Sequence, residues 1–388
     1  RSDIDGVNLC KRLNDEGLHG ADFLCRMQDE RGFFYMTLFD KWSKDPEQRE
    51  LCAYATQQGI KSARWQAGFR QGGGMTIAAL ARAAREPSGG DLDTSQYAEA
   101  ARRGYLHLRE HNLAYLDDGV ENIIDDYCAL LAAVELTRTL GAEWLAEARD
   151  RAGRLCARQR AHPDLGHHWA ANDDGSRPYY HAAEAGLPVL ALLEYLAIEP
   201  DPARQWAART VAEQALAAEL ALAARTGNPF ALARQYVKGV DEAPRVSFFM
   251  PHHNESGYWW QGENARLASL ATMAFAAAQH LPGQSALLRT FGQQQLDWIL
   301  GRNPFNACML AGQGINNPEY TAGYPNAQGG ICNGITAGFD DENDVAFIPE
   351  AYKDRLDQNW RWGEQWIPHA AWFALAITWQ SAQGGHHD

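Results

Sequence analysis

Residues 119–140 read GVENIIDDYCALLAAVELTRTL, and this stretch decides the fold class. Its apolar residues recur at spacings of three and four, which predicts an amphipathic α-helix. The same spacing predicts nine more helices, at 4–28, 71–86, 93–111, 142–160, 180–197, 201–225, 260–280, 284–300 and 366–383. Only 32–37 and 246–250 alternate in the way that strands do. The sequence therefore predicts an all-α protein.

Long segments rich in Gly, Pro, Asn and aromatic residues separate some of these helices, at about 33–70, 161–179, 226–259 and 301–365. They alternate with short connections, and no sequence period recurs, which excludes a solenoid. Helical hairpins joined in this way fit an (α/α)6 toroid whose long loops line one concave face. Six helix pairs are needed to close it, so ten predicted helices leave it without its first helix or helices.

The composition is that of a folded protein with an acidic surface. The 388 residues are 46% hydrophobic, and 35 Lys and Arg oppose 49 Asp and Glu, which gives a net charge of −14. No basic run predicts nucleic-acid binding, and no apolar run is long enough to span a membrane. Seven cysteines without CxxC spacing indicate reduced thiols and predict a cytoplasmic location.

One loop carries the strongest chemical signal. Residues 357–366 read DQNWRWGEQW, which places Glu364 between Trp362 and Trp366, just before a predicted helix. Tryptophan faces stack on the C–H faces of sugars, and carboxylates bind sugar hydroxyls. An apolar setting also raises the pKa of a carboxyl group, as a general acid requires. The alternatives are that Trp360, Trp362 and Trp366 only pack and that Glu364 only caps the helix.

A second cluster lies at 251–264, PHHNESGYWWQGEN. Two histidines and a glutamate in such a segment could bind zinc, but no third ligand follows at helical spacing. We expect substrate contacts instead, from His252, His253, Glu255, Trp259 and Trp260. The adjacent acids Asp125 and Asp126 are a weaker signal of a functional site.

A third cluster, GFDDEND at 338–344, matches the DDxxD pattern with which some all-α prenyl-transferring enzymes hold magnesium. The glycine and polar residues before it predict a loop rather than a helix. A solvated loop, a calcium site and sugar-binding carboxylates at Asp340 and Asp341 remain alternatives in that order. No metal or other cofactor is otherwise expected.

Several segments together resemble glycoside hydrolase family 9. Residues 17–28, GLHGADFLCRMQ, are similar to its early "ADFLL-MQ" helix, and 300–305, LGRNPF, to its "LGRNP" turn. Glu364 in WGEQ lies where that family has its catalytic acid. The resemblance covers essentially the whole chain and implies an inverting glycosidase with Glu364 as general acid and an oligosaccharide as substrate.

Within the family, 35–45, 70–74 and 252–255 resemble the bacterial exo-β-D-glucosaminidase branch, which acts on chitosan disaccharide. The His-Pro-His-His-Arg loop of the family's cellulases is replaced here by 319–326, EYTAGYPN. A cationic sugar needs carboxylate partners, and Asp340, Asp341, Asp344, Glu255 and Glu263 are available in the predicted loops. An endoglucanase or cellodextrinase of the same family is the alternative.

The family's catalytic base lies in an Asp-Ala-Gly-Asp-like motif upstream of the "ADFLL" helix, and no such motif occurs here. We therefore expect residues 1–388 to be one catalytic domain that is incomplete at its N-terminus, with the base upstream of Arg1 and without the family's immunoglobulin-like domain. Two further alternatives are an inactive carbohydrate-binding homologue and a magnesium-dependent prenyl-chain enzyme.

Overall fold

The fold is described from a computed structural model, which covers residues 4–39, 43, 45–54, 61–62, 65–225, 227–255, 261–321 and 323–382. The chain divides into two compact units. The first contains 1–157 and 194–206, and the second contains 158–193 and 207–388. The prediction of one domain over 1–388 stays a prediction.

Eleven α-helices lie in the described ranges. They are α1 Ile4–Arg26, α2 Gly73–Ala83, α3 Thr94–Tyr115, α4 Ile123–Leu140, α5 Leu145–Ala157, α6 Leu187–Leu196, α7 Pro202–Ala223, α8 Asn264–His280, α9 Ser285–Ile299, α10 Leu356–Gly363 and α11 Ile367–Ala382. All ten predicted helices are confirmed, although α6 begins later than expected. The prediction of a continuous loop over 301–365 is wrong, because α10 lies inside it.

The strands are short and pair only in small antiparallel sheets, which agrees with an all-α class. The pairs are Phe34–Tyr35 with Gln66–Ala67, Gln159–His162 with Gly166–Trp169, Gln235–Val237 with Arg245–Ser247, and Thr336–Ala337 with Val345–Ala346. A three-stranded sheet joins Thr37–Phe39, Glu50–Tyr54 and Lys61–Ser62. Both predicted strands are found, but the sequence did not reveal the others.

The first unit is built around α4, which packs against α2 and α5. Its start is fixed by a capping box: Asn122 Oδ1 accepts from the Ile124 N–H at 2.8 Å, and Asp125 Oδ2 accepts from the Asn122 N–H at 3.0 Å. Apolar residues then surround the helix, and 123–136 lie almost entirely out of solvent. A helix that is apolar all round is a core helix.

The second unit is built around α8, which packs against α9 and α11. Every residue from Asn264 to Ala278 is buried, and many are alanines, which lets neighbouring helices approach closely. Two buried hydroxyl groups of α8 make hydrogen bonds within the helix: Ser269 donates to the Arg266 carbonyl and Thr272 to the Ala268 carbonyl. The segments that precede α8 and that follow α9 and α10 carry the residues of the site described next.

Candidate active site

Glu364 is held in place by backbone hydrogen bonds in the second unit. The segment 332–334 runs antiparallel to 362–365, with the Asn333 N–H bound to the Glu364 carbonyl at 2.8 Å and the Gly334 N–H to the Trp362 carbonyl at 2.9 Å. Gly334 has φ +97°, and a Cβ there would lie 2.4 Å from the Asn264 amide. Glycine is therefore required for this close packing.

The Glu364 side chain is half-buried at the C-terminal end of α10, and α11 begins at Ile367. Burial raises the pKa of Glu364, while hydrogen bonds from the Trp366 indole and the Asn333 side chain lower it. The raised pKa is the net result. Partial burial thus shifts this pKa in the direction that a general acid requires. Glu364 directly follows α10, and α11 begins only at Ile367, so Glu364 is not the N-cap residue of α11.

The three tryptophans around Glu364 differ in exposure. Trp366 is 42% exposed and donates to Glu364. Trp360 is half-buried, its indole donates to the Asp357 carbonyl, and the Arg361 guanidinium lies over its ring. Trp362 is 1% exposed and stacks on Tyr352 at 6.1 Å. Burial assigns Trp362 a packing role, which corrects the prediction that it contacts sugar.

The second cluster is only partly described, because Trp259 and Trp260 lie outside the described residues. Glu255 is exposed and pairs with Arg177 at 3.1 Å. His253 is exposed, and its carbonyl accepts from the Val240 N–H. The His252 N–H donates to Glu342 at 2.8 Å.

Glu263 ends the same cluster and is 2% exposed. Its carboxylate accepts from Arg266 at 2.5 Å and from Gln235 at 3.1 Å. A buried carboxylate with these partners is committed to the fold, which corrects its prediction as a partner for a substrate amine.

The acidic segment 338–344 is a turn between two short strands, as the loop prediction required. Asp340, Asp341 and Asp344 are exposed, and Asp341 accepts from the Asn343 N–H at 2.9 Å. Glu342 pairs with Arg245 and fixes the turn. These aspartates do not project from a helix into an apolar cavity, so the geometry of a prenyl-transferring site is not found.

Two residues near Glu364 were missed at the level of sequence. Asn333 contributes a hydrogen bond to the acid, and no local pattern marks it. Burial and the charge of Glu364 raise the pKa of Tyr320, which places this phenol close to the acid. Glu319-Tyr320 carries the same pairing of carboxylate and aromatic ring that singled out 360–366, and this signal could have found it.

Two general features of the described ranges bear on function. No group of three or more His, Cys, Asp or Glu side chains there is placed to hold a metal ion. Of the helices listed above, none combines the length and the apolarity that crossing a bilayer requires.

Comparison with known structures shows the fold. The chain matches the cellulase Cel9M of C. cellulolyticum with TM-score 0.54 and 14% identity, over 94% of this chain and 76% of that one. An endoglucanase from the termite Nasutitermes takasagoensis matches with TM-score 0.56 and 15% identity, over 94% and 77%. Endoglucanase CelQ from Clostridium thermocellum, complexed with cellotriose, matches with TM-score 0.55 and 14% identity, over 94% of this chain but only 56% of CelQ. The all-α prediction of the (α/α)6 class is thereby confirmed.

Comparison with family models and with curated proteins gives the classification. No curated protein matches the sequence. The model of glycosyl hydrolase family 9 matches residues 2–324, well over half of the chain. The chain belongs to glycosyl hydrolase family 9 and is a glycosidase.

Proposed function

We propose that this glycosidase cleaves β-1,4-linked oligosaccharides with inversion and that Glu364 is its general acid. The observation that carries the proposal is a half-buried carboxyl group that accepts hydrogen bonds from the Trp366 indole and the Asn333 side chain and whose pKa is raised by burial. A raised pKa favours the protonated form of a carboxyl group, and this form can donate to the glycosidic oxygen as the bond breaks. The Trp366 indole N–H then supports the carboxylate that forms.

Inversion also requires a carboxylate that activates water on the opposite face of the sugar, about 6.5–9.5 Å from the acid. The family resemblance assigns that base to an Asp-Ala-Gly-Asp-like motif, which does not occur within residues 1–388. Glu364 alone is assigned a catalytic role among residues 1–388.

The first substrate candidate is a β-1,4-linked glucosamine oligosaccharide. Three segments support it, 35–45, 70–74 and 252–255, through their resemblance to the exo-β-D-glucosaminidase branch, and so does the net charge of −14. Cello-oligosaccharides are the second candidate, because the solved structures named above are cellulases and endoglucanases, one of them with cellotriose bound. On the comparisons alone, the second candidate is the better supported.

The test is to measure the initial rates of the intact enzyme on glucosamine disaccharide, cellobiose and cellotriose, and to follow the first product by proton NMR. We expect faster hydrolysis of the glucosamine disaccharide and an α-anomeric first product. Faster cleavage of cellotriose would establish the endoglucanase alternative, and a β-anomer would refute inversion. Binding of these sugars without hydrolysis would support the inactive carbohydrate-binding alternative.

A further inference from the structure

A large open cleft lies in the second unit beside the candidate acid. Its volume is about 890 Å³, and it is lined by residues from 311–328 and 348–359. This size falls within the range of about 300–1,000 Å³ typical of ligand sites. The cleft therefore has room for a sugar, and the family-9 assignment leaves its role open.

The cleft begins next to Glu364. Asn359, which lines the cleft and is 2% exposed, donates to the carbonyl of Tyr320 at 2.5 Å and to that of Lys353 at 2.9 Å. A Cβ on Gly363 would lie 3.3 Å from the Tyr320 Cα. Tyr320 thus borders both the cleft and the residue that precedes the acid. A general acid protonates the leaving group, so a cleft at this place suits the leaving-group sugar.

The charges of the cleft favour a cation. Glu319 and Asp354 are exposed in its lining, and neither forms an ion pair within the described part of the chain. Lys353 also lines it, but its ammonium group is paired with Glu350 at 2.5 Å. Two carboxylates are therefore left to face a ligand, and an ammonium group is their natural partner.

We infer that this cleft holds the leaving-group sugar beside Glu364 and that Glu319 and Asp354 give it a preference for an amino sugar over glucose. The inference rests on the proposed function, which it deepens by assigning the residues that distinguish the two substrates. Tyr320 contributes a ring face that either sugar can contact, since both present the same apolar C–H surface.

The experiment compares binding of glucosamine disaccharide and cellobiose by titration calorimetry, at low and at high ionic strength. The variants are Glu319→Gln, Asp354→Asn and the double variant. Exposed charge pairs are weak, so each single change should weaken glucosamine binding about two- to five-fold and the double change roughly ten-fold. The salt dependence of binding should disappear in the double variant, and cellobiose binding should stay unchanged.

Asp241→Asn is the matched control, because Asp241 is an exposed carboxylate of the same unit that does not line the cleft. It should leave both affinities unchanged, whereas Tyr320→Ala should weaken both sugars alike. Unchanged binding of both sugars by the double variant, equal losses for both, or no binding of either sugar by the unaltered chain would overturn the inference. If the intact enzyme binds the glucosamine disaccharide selectively through Glu319 and Asp354 but does not hydrolyse it, the proposed function is rejected and only the assignment of these two carboxylates to an amino sugar is kept.

Discussion

Two partly buried carboxylates, Glu121 in the first unit and Glu364 in the second, show that burial alone does not decide a residue's role. In the first unit, Glu121 accepts from Arg151 at 2.8 and 3.1 Å, from Arg154 at 2.6 Å and from Asn112 at 2.8 Å. Burial works to raise the pKa of Glu121, but the hydrogen bonds and charges of Arg151, Asn112 and Arg154 together outweigh it, and the pKa is lowered. In the second unit, burial raises the pKa of Glu364, and no arginine opposes it among its described contacts.

The difference between the two is the presence of a cation. Glu121 remains a carboxylate and ties a loop to α5, so its charge serves the fold. Glu364 has an indole and an amide as partners, which support a charge far less than a guanidinium does. The same residue type is therefore a structural anchor in one unit and, in our proposal, a proton donor in the other.

The largest expected effect comes from Glu364→Gln, which keeps the size of the side chain but removes the proton. In the intact enzyme, the rate on the glucosamine disaccharide of our proposal should fall by roughly 10²–10⁴-fold. The loss should be smaller for an aryl glycoside or glycosyl fluoride, because such leaving groups depart without protonation. Steady-state kinetics on both substrate types would check this, and a near-normal rate on the disaccharide would remove Glu364 from the mechanism.

Glu121→Gln tests the carboxylate that is paired with arginines in the first unit. It leaves the buried guanidinium of Arg151 with only the longer ion pair to Asp126, at 3.6 Å, and we expect the free energy of unfolding to fall by about 3 kcal/mol. Denaturant unfolding measures it. The control is Glu99→Gln, which removes an exposed pair with Arg102 and should cost less than about 1 kcal/mol. Equal losses in the two variants would contradict the assigned anchoring role.

Glu219 on α7 offers a third case. Burial raises its pKa to about 7, against the charge of Arg266. The folded state thus favours the neutral form, whose contribution to stability is complete below about pH 4.5 and is lost as the pH rises through 7. Glu219→Gln should raise Tm by about 2–4 °C at pH 8 and leave it unchanged at pH 4.5. Scanning calorimetry at both pH values tests this. The control is Glu213→Gln on the same helix, which should change Tm by the same amount at pH 8 and at pH 4.5.

The smallest effect is expected from Trp366→Phe. It removes the indole hydrogen bond that lowers the pKa of Glu364, so the pKa should rise further. The alkaline limb of the kcat/KM profile, which reports ionisation of the acid, should move to higher pH by less than about one unit. Trp360→Phe serves as a comparison, since its indole donates to the Asp357 carbonyl and the limb should stay in place. A shift to lower pH would contradict the described hydrogen bond.

The helices were predictable because long amphipathic segments repeat their apolar spacing many times. The missed helix α10 has eight residues and mixes aromatic with charged side chains, so no periodicity could develop. Most unpredicted strands have two to four residues, too few to show alternation. At the site, the sequence located Glu364 and its flanking tryptophans, since these are neighbours in the chain. Asn333 and Tyr320 lie 31 and 44 positions before Glu364, and only the folded chain brings them to it.

The antiparallel pairing of 332–334 with 362–365 has a consequence for how this family can diversify. Glu364 is positioned through main-chain atoms, which every amino acid supplies, while the cleft beside it is lined by the side chains of 311–328 and 348–359. We therefore expect the cleft segment 311–328 to tolerate transplantation from a relative of different sugar preference, with the proton donor left where it is. Catalysis and recognition would then evolve as separately exchangeable parts of one enzyme.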